Sequence, residues 1–303
     1  MANATAQSPA TQPGRPPWLP WSAFPFKSRF AVIDSKPIHY IDEGSGPALL
    51  FVNAGQWAFM FRDVVVRLRE QFRCLALDFP GCGLSPDTPD HDHSVPANAR
   101  VLAGFINALD LQDITMVVHD VGGPLGFLAV IERPERFRGL VISNTFGWPL
   151  AGYAAVRRTL KVITNPVFGV LNSLTNVAAL FTASSYGVGR KMSKADRRSF
   201  LGPWRSVSSR RATQQILAGV LHIDPIMADV ELSLQTSLAD LPVLILFGRK
   251  NDPYGWQHRF QHIFPLASAV GIADGHHFPF NDDPDAYSAA ISTWWAEKVL
   301  RHP

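Results

Sequence analysis

Residues 117–127 read VVHDVGGPLGF. An apolar run of strand character ends at Asp120, and Gly122 and Gly123 open a helix. A backbone that turns from strand to helix around one residue leaves room only for small side chains beside the tip. The tip residue then stands above the sheet at a helix N-terminus, whose free N–H groups favour negative charge. Asp120 as a simple helix cap would leave the two glycines without a reason. The stretch therefore reads as a nucleophile elbow with Asp120 at the position that serine holds in G-x-S-x-G. Val118 occupies the first small position, and no G-x-S-x-G occurs elsewhere in the chain.

Working outward, two periodicities alternate. RFAVID and IHYIDEG form an antiparallel start; ALLFVN (48–53), RCLALD (73–78), ITMVVH (114–119) and GLVISN (139–144) read as buried strands. Helical patterns over 57–72, 96–109 and 122–132 separate them. Strands and helices in this rhythm predict a doubly wound, mostly parallel α/β sheet. From Gly147 to about Leu238 no strand pattern occurs, and then PVLILFG (242–248), a helix over 255–264, SAVGIAD (268–274) and a helix over 285–300 resume it. The expected organisation is a disordered Pro-rich tail over 1–23, a core of 24–146 and 239–303, and a helical cap over 147–238 inserted after the sixth strand.

Composition narrows the function. Hydrophobic residues are 47 % and charged residues 17 % of 303, so a large core is expected. The net charge of +3 is spread out, and the Arg-rich stretch Lys191–Arg211 reads as a solvated helical face, so no nucleic-acid partner is expected. Cys74 and Cys82 offer no disulfide framework and suit a reducing compartment. The first twenty residues lack a signal-peptide pattern, and no uncharged apolar run reaches the roughly 20 residues of a spanning helix. A cytoplasmic protein without a membrane span is expected. The apolar segment 166–181 could touch a membrane, but lining a substrate pocket is the commoner reason for such a segment. DHDH (90–93) reads as a solvated loop, not a metal site, and Gly81 with Gly83 falls short of a dinucleotide fingerprint. Neither metal nor cofactor is expected.

From Phe24 to Leu300 the chain resembles the α/β-hydrolase fold, in its aspartate-nucleophile branch of haloalkane dehalogenases and relatives. IHYIDEGSGP (38–47), WAFMFRDVV (57–65), DFPGCGLS (78–85), HDVGGP (119–124), NTFGWP (144–149) and GHHFPFNDDP (275–284) carry the resemblance. It implies Asp120 as nucleophile and His277, the histidine directly before Phe278, as base. Asp252 in LILFGRKND is the candidate orienting acid, one residue beyond the position, here Asn251, that relatives use. An Asp nucleophile is ionised at pH 7 and attacks without a base. Displacement at an sp³ carbon gives an alkyl ester, which His277 then hydrolyses by activating water.

The leaving-group positions depart from the family. Relatives have H-G-x-P after the third strand; here VNAGQW (52–57) puts Ala54 at the usual halide-binding Asn, and Val121 replaces a Trp after the nucleophile. The main-chain N–H of Val121 and of the loop after Val52 are candidate oxyanion donors. Asn53, Gln56, Trp57 and Trp148 are candidate leaving-group donors, and Tyr153 and Tyr186 are cap tyrosines that an epoxide hydrolase would use. The reading is a cofactor-free, haloalkane dehalogenase-like hydrolase that uses an Asp nucleophile and an alkyl-enzyme ester on a small apolar organic substrate. The alternatives are opening of an epoxide or lactone ring, and, in another class, a non-catalytic ligand-binding member of the fold. The oligomeric state is left open.

Overall fold

A computed structural model describes residues 15–301. Eight strands form one sheet: β1 (Arg29–Ile33), β2 (Lys36–Glu43), β3 (Ala48–Val52), β4 (Arg73–Leu77), β5 (Ile114–Asp120), β6 (Phe137–Thr145), β7 (Val243–Gly248) and β8 (Ser268–Ile272). Their order is β1-β2-β4-β3-β5-β6-β7-β8. β1 with β2 and β2 with β4 are antiparallel, and the remaining neighbours are parallel. The helices of the first half are α1 (Arg62–Leu68), α2 (Val95–Ala108) and α3 (Gly122–Glu132). Between β6 and β7 lie α4 (Ala154–Thr164), α5 (Pro166–Thr175), α6 (Val177–Thr182), α7 (Lys194–Phe200), α8 (Val207–Gly219) and α9 (Asp224–Gln235). Then follow α10 (Trp256–Ile263), α11 (Pro279–Asp282) and α12 (Pro284–Trp294). The helix expected over 57–72 is a 3₁₀ turn, Ala58–Phe61, followed by the shorter α1.

Alternate residues of the central strands feed two cores, as the period of two requires. Leu50, Val52, Met116, Val118 and Ile245 pack on α2, α3 and α10; Leu49, Phe51, Val117, Leu244 and Leu246 pack on α1 and α12. Both faces are covered, which is why these strands read as continuous apolar runs. β6 and β7 are adjacent and parallel although some ninety residues separate them. That stretch adds helices beside the sheet and no strand to it.

The expected tail needs correction. Residues 1–14 lie outside the described residues, but the segment from Arg15 to Phe26 is docked, with Leu19, Ala23, Phe24 and Phe26 buried against α1 and the loop after β3. Arg15 donates to the carbonyls of Leu19 (2.6 Å), Pro20 (3.2 Å), Phe24 and Phe26 (3.1 Å), which holds the Pro-rich turn in place. Trp18 meets Trp57 edge-on at 5.9 Å. A stretch too short and too broken by proline to show a period still buries Phe24 and Phe26, while Trp21 stays exposed.

Candidate active site

β5 ends at Asp120, whose φ of +50° lies in the left-handed region. Asp and Asn tolerate that conformation better than most residues. The two glycines after it are required by contact: a Cβ on Gly122 would overlap the Val52 carbonyl, and one on Gly123 would overlap the Thr145 hydroxyl. The turn therefore presses β5 against the ends of β3 and β6, and Asp120 is lifted into the crevice above them. Its carboxylate sits deep in that crevice, yet 34 % of the side chain remains exposed.

His277, in the loop between β8 and α11, brings Nε2 to 3.5 Å from Asp120 Oδ2. Burial raises the Asp120 pKa, but the hydrogen bond and charge of His277, with the Val121 N–H, outweigh it and hold the carboxyl below its ordinary 3.8. Asp120 is thus ionised throughout the neutral range. The neighbouring His276 turns away, and Arg190 donates to its Nε2 at 2.6 Å.

Asp252 shares a cavity of about 170 Å³ with His277, Asn144 and Asn251. Its carboxylate accepts the main-chain N–H of Trp256 (2.7 Å) and of Gln257 (2.9 Å), the free donors at the start of α10. Among the described residues no hydrogen bond joins it to His277. Asn144, at the end of β6, accepts from the Gly248 N–H (2.9 Å) and donates to Asn251 O (3.1 Å). Among the described residues His277 has no ion pair with a carboxylate other than Asp120; Asn144, Asn251 and Asp252 line the cavity beside it.

The loop after β3 holds the remaining candidates. Asn53 is buried, and its Nδ2 donates to His119 Nδ1 (2.7 Å) and His119 O (3.2 Å), leaving only Oδ1, an acceptor without a partner. Trp57 Nε1 donates to Phe200 O at 3.0 Å. Ala54 and Val121 are buried and bring no side-chain donor. Gln56 makes no side-chain hydrogen bond among the described residues, and its Oε1 is buried. Trp148 is enclosed by Trp256 and Phe260 beneath the Arg259 guanidinium, with its N–H unpartnered. The Tyr153 hydroxyl accepts from Arg259 Nη1 at 2.9 Å and keeps its own proton, and Tyr186 is 82 % exposed, stacked on Phe181. The side-chain N–H groups of Asn53 and Trp57 are thus occupied and Tyr186 is turned outward, a correction to their expected roles.

Fold comparison and family membership agree with this architecture. An α/β-hydrolase-fold family model matches residues 47–284. The chain belongs to the α/β-hydrolase family. It is 30 % identical to haloalkane dehalogenase 2 of Mycobacterium tuberculosis, over 88 % of this chain and 94 % of that protein. It is 28 % identical to a cis-3-alkyl-4-alkyloxetan-2-one decarboxylase of Shewanella oneidensis, over 90 % and 89 %. The crystal structure of a haloalkane dehalogenase from Bradyrhizobium elkani superposes with a TM-score of 0.80 at 18 % identity, covering 90 % of this chain and 98 % of that one, a likeness of fold. The chain is an enzyme of the hydrolase class, similar to haloalkane dehalogenases.

One residue at the centre of this hydrolase site is absent from the sequence reading. His119 is fully buried; its Nε2 donates to the His277 carbonyl at 2.6 Å while Nδ1 accepts from Asn53. Burial, then the nearby His277, lowers its pKa to about 3, so it is neutral, as those two bonds require. Asn53–His119–His277 thus forms a hydrogen-bonded line from the loop after β3 to the main chain of His277. A histidine inside an apolar strand, one residue from the elbow, was the available signal.

Proposed function

We propose that Asp120 attacks an sp³ ring carbon of a small strained substrate, a lactone of the oxetanone type, and that the resulting ester is hydrolysed with His277. The observation that carries this reading is the pairing of an ionised, left-handed Asp120 with His277 Nε2 at 3.5 Å, in a site without a directed pair of side-chain N–H donors. As Asp120 Oδ bonds to the ring carbon, the carbon–oxygen bond breaks and its electrons stay on the ring oxygen as a carboxylate tethered to the product. His277 then takes a proton from water, the hydroxide adds to the Asp120 ester carbonyl, and as the adduct collapses that proton passes to the departing alkoxide, which frees the hydroxy acid and restores Asp120 and neutral His277. The N–H of Val121 faces the oxyanion of that second step.

The leaving group separates this reading from dehalogenation. A departing halide is a free ion that needs two aimed donors, and burying it without them costs several kcal/mol. Asn53 and Trp57 give their N–H groups elsewhere, and Ala54 and Val121 have none to give. A tethered, delocalised carboxylate needs less, because it stays part of the product and is not released as a free ion. An epoxide would release an alkoxide that requires an acid; of the two cap tyrosines Tyr186 is 82 % exposed and stacked on Phe181, while Tyr153 packs against Tyr254 and Trp256. The name of the Shewanella relative supports a four-membered lactone. The helices between β6 and β7 would act as the cap. The experiment is a side-by-side rate comparison of 3,4-dialkyl-oxetan-2-ones, epoxides and 1-chloro- and 1-bromoalkanes of equal length. Lactone turnover at least a hundredfold above chloroalkane turnover is expected, and halide release at an equal rate overturns the ring-opening reading.

A further inference from the structure

The second helix of the insertion is amphipathic in an unusual sense. α5 (PVFGVLNSLT) has no charged side chain, and Val167, Val170, Leu171 and Leu174 recur at the three- and four-residue spacing of one helical face. That face looks outward: Val167 is 80 % and Leu174 is 77 % exposed. Phe168 and Asn172, on the other side, line a cavity of about 410 Å³ inside the insertion. Leu180 and Phe181 of α6 and the stacked Tyr186 extend the exposed apolar face. Phe181 also lines the cavity, so inner and outer apolar surfaces are continuous. Thr213, another wall residue, reaches Gly55 O at 3.4 Å in the loop beside Asp120. Contiguous exposed apolar surface of this kind marks a contact site.

Charge identifies what that site meets. The stretch 154–219 holds eleven Lys and Arg against one Asp, a net +10 in a chain whose total is +3. Arg158 and Lys161 before the apolar face, and Lys191 and Lys194 after it, are exposed and make no ion pair among the described residues. Arg210 donates to Ser173 O at 2.6 Å, which sets the basic start of α8 beside the end of α5. A second copy meeting this face would oppose one basic fringe with another, since Arg158, Lys161, Lys191 and Lys194 are exposed and outside any ion pair among the described residues, and nucleic acid has no use for the aliphatic stripe. We infer that the α5–α6 face docks on an anionic lipid bilayer, with the stripe among the acyl chains and the basic fringe at the headgroups. No described helix is long and apolar enough to cross a membrane. The contact is peripheral and independent of which reaction Asp120 performs.

Co-sedimentation of the full chain with phosphatidylcholine vesicles, and with vesicles enriched in phosphatidylglycerol, tests this. Binding to the anionic vesicles is expected, weakened by salt as screening requires. Val167→Ser with Leu174→Ser should lower the partition about a hundredfold. Lys161→Gln with Lys191→Gln should lower it about 25-fold, near fivefold per charge. These positions are exposed, so the melting temperature should hold. The inference is overturned by equal binding to neutral vesicles, by no binding, or by an unaffected stripe variant. It also falls if sedimentation velocity reveals a dimer that the stripe substitutions dissociate.

Discussion

Asp252 and Asn251 differ by one position and, in this site, by their whole employment. The sequence offered Asp252 two roles, orienting His277 or capping the next helix, because an acid after a strand and before a helix fits either. The structure gives its carboxylate to the first turn of α10. Asp252→Ala is therefore expected to lower stability by about 1 kcal/mol, and Asp252→Asn to change kcat by less than tenfold. A loss of a thousandfold with an unchanged melting temperature would show that the carboxylate leaves the helix for His277. Asn251 lines the cavity beside His277, and Asn251→Asp is expected to raise the rate of ester hydrolysis by giving the imidazolium a partner. Gln56→Leu, which removes the unengaged amide of its loop, is expected to lower kcat/KM for a lactone about tenfold. Steady-state kinetics on the three variants reads each outcome. Asp120, in contrast, was legible at once, since only a sharp turn explains the glycines beside it.

The loop after β3, the end of β5 and the β8–α11 loop act as one element through His119. Its folded pKa is near 3 and its ordinary value is 6.5. Below pH 6.5 the unfolded chain binds a proton that the folded chain refuses, so this histidine stabilises the fold fully above 6.5, and the contribution is lost as the pH falls towards 3. One proton corresponds to about 1.4 kcal/mol per pH unit. His119→Gln is expected to be less stable at pH 7, yet to lose stability less steeply by about that slope between pH 6 and 4.5 in urea unfolding. Parallel slopes would mean that His119 titrates normally. The departure of VNAGQ from the family pattern was visible in the sequence, but its reason was not. Nothing in a linear chain reveals that Asn53 is paired with a histidine sixty-six residues away.

For the whole molecule, the alternation of strand and helix patterns gave the sheet and the break in its rhythm, because β3 to β7 are buried on both faces and read as apolar runs. The misread part was the beginning. Arg15 to Phe26 shows no periodicity, and its aromatic residues gain their place only from the 3₁₀ turn and α1 that they cover. Phe24 is fully buried, stacked on Phe59 at 5.8 Å. Phe24→Ala is expected to cost about 3–5 kcal/mol, a fall in Tm of roughly 6–10 °C at about 2 °C per kcal/mol. A melting temperature within a degree or two of the parent would mean that the segment is dispensable.

The central claim, a covalent ester on Asp120, is a statement about the mass of the whole protein. Displacement needs no base, whereas hydrolysis of the ester needs His277. His277→Phe mixed with a substrate that the parent turns over is expected to gain the substrate's mass, on the peptide that contains Asp120, and to keep it after desalting. An unmodified mass under those conditions would contradict the mechanism.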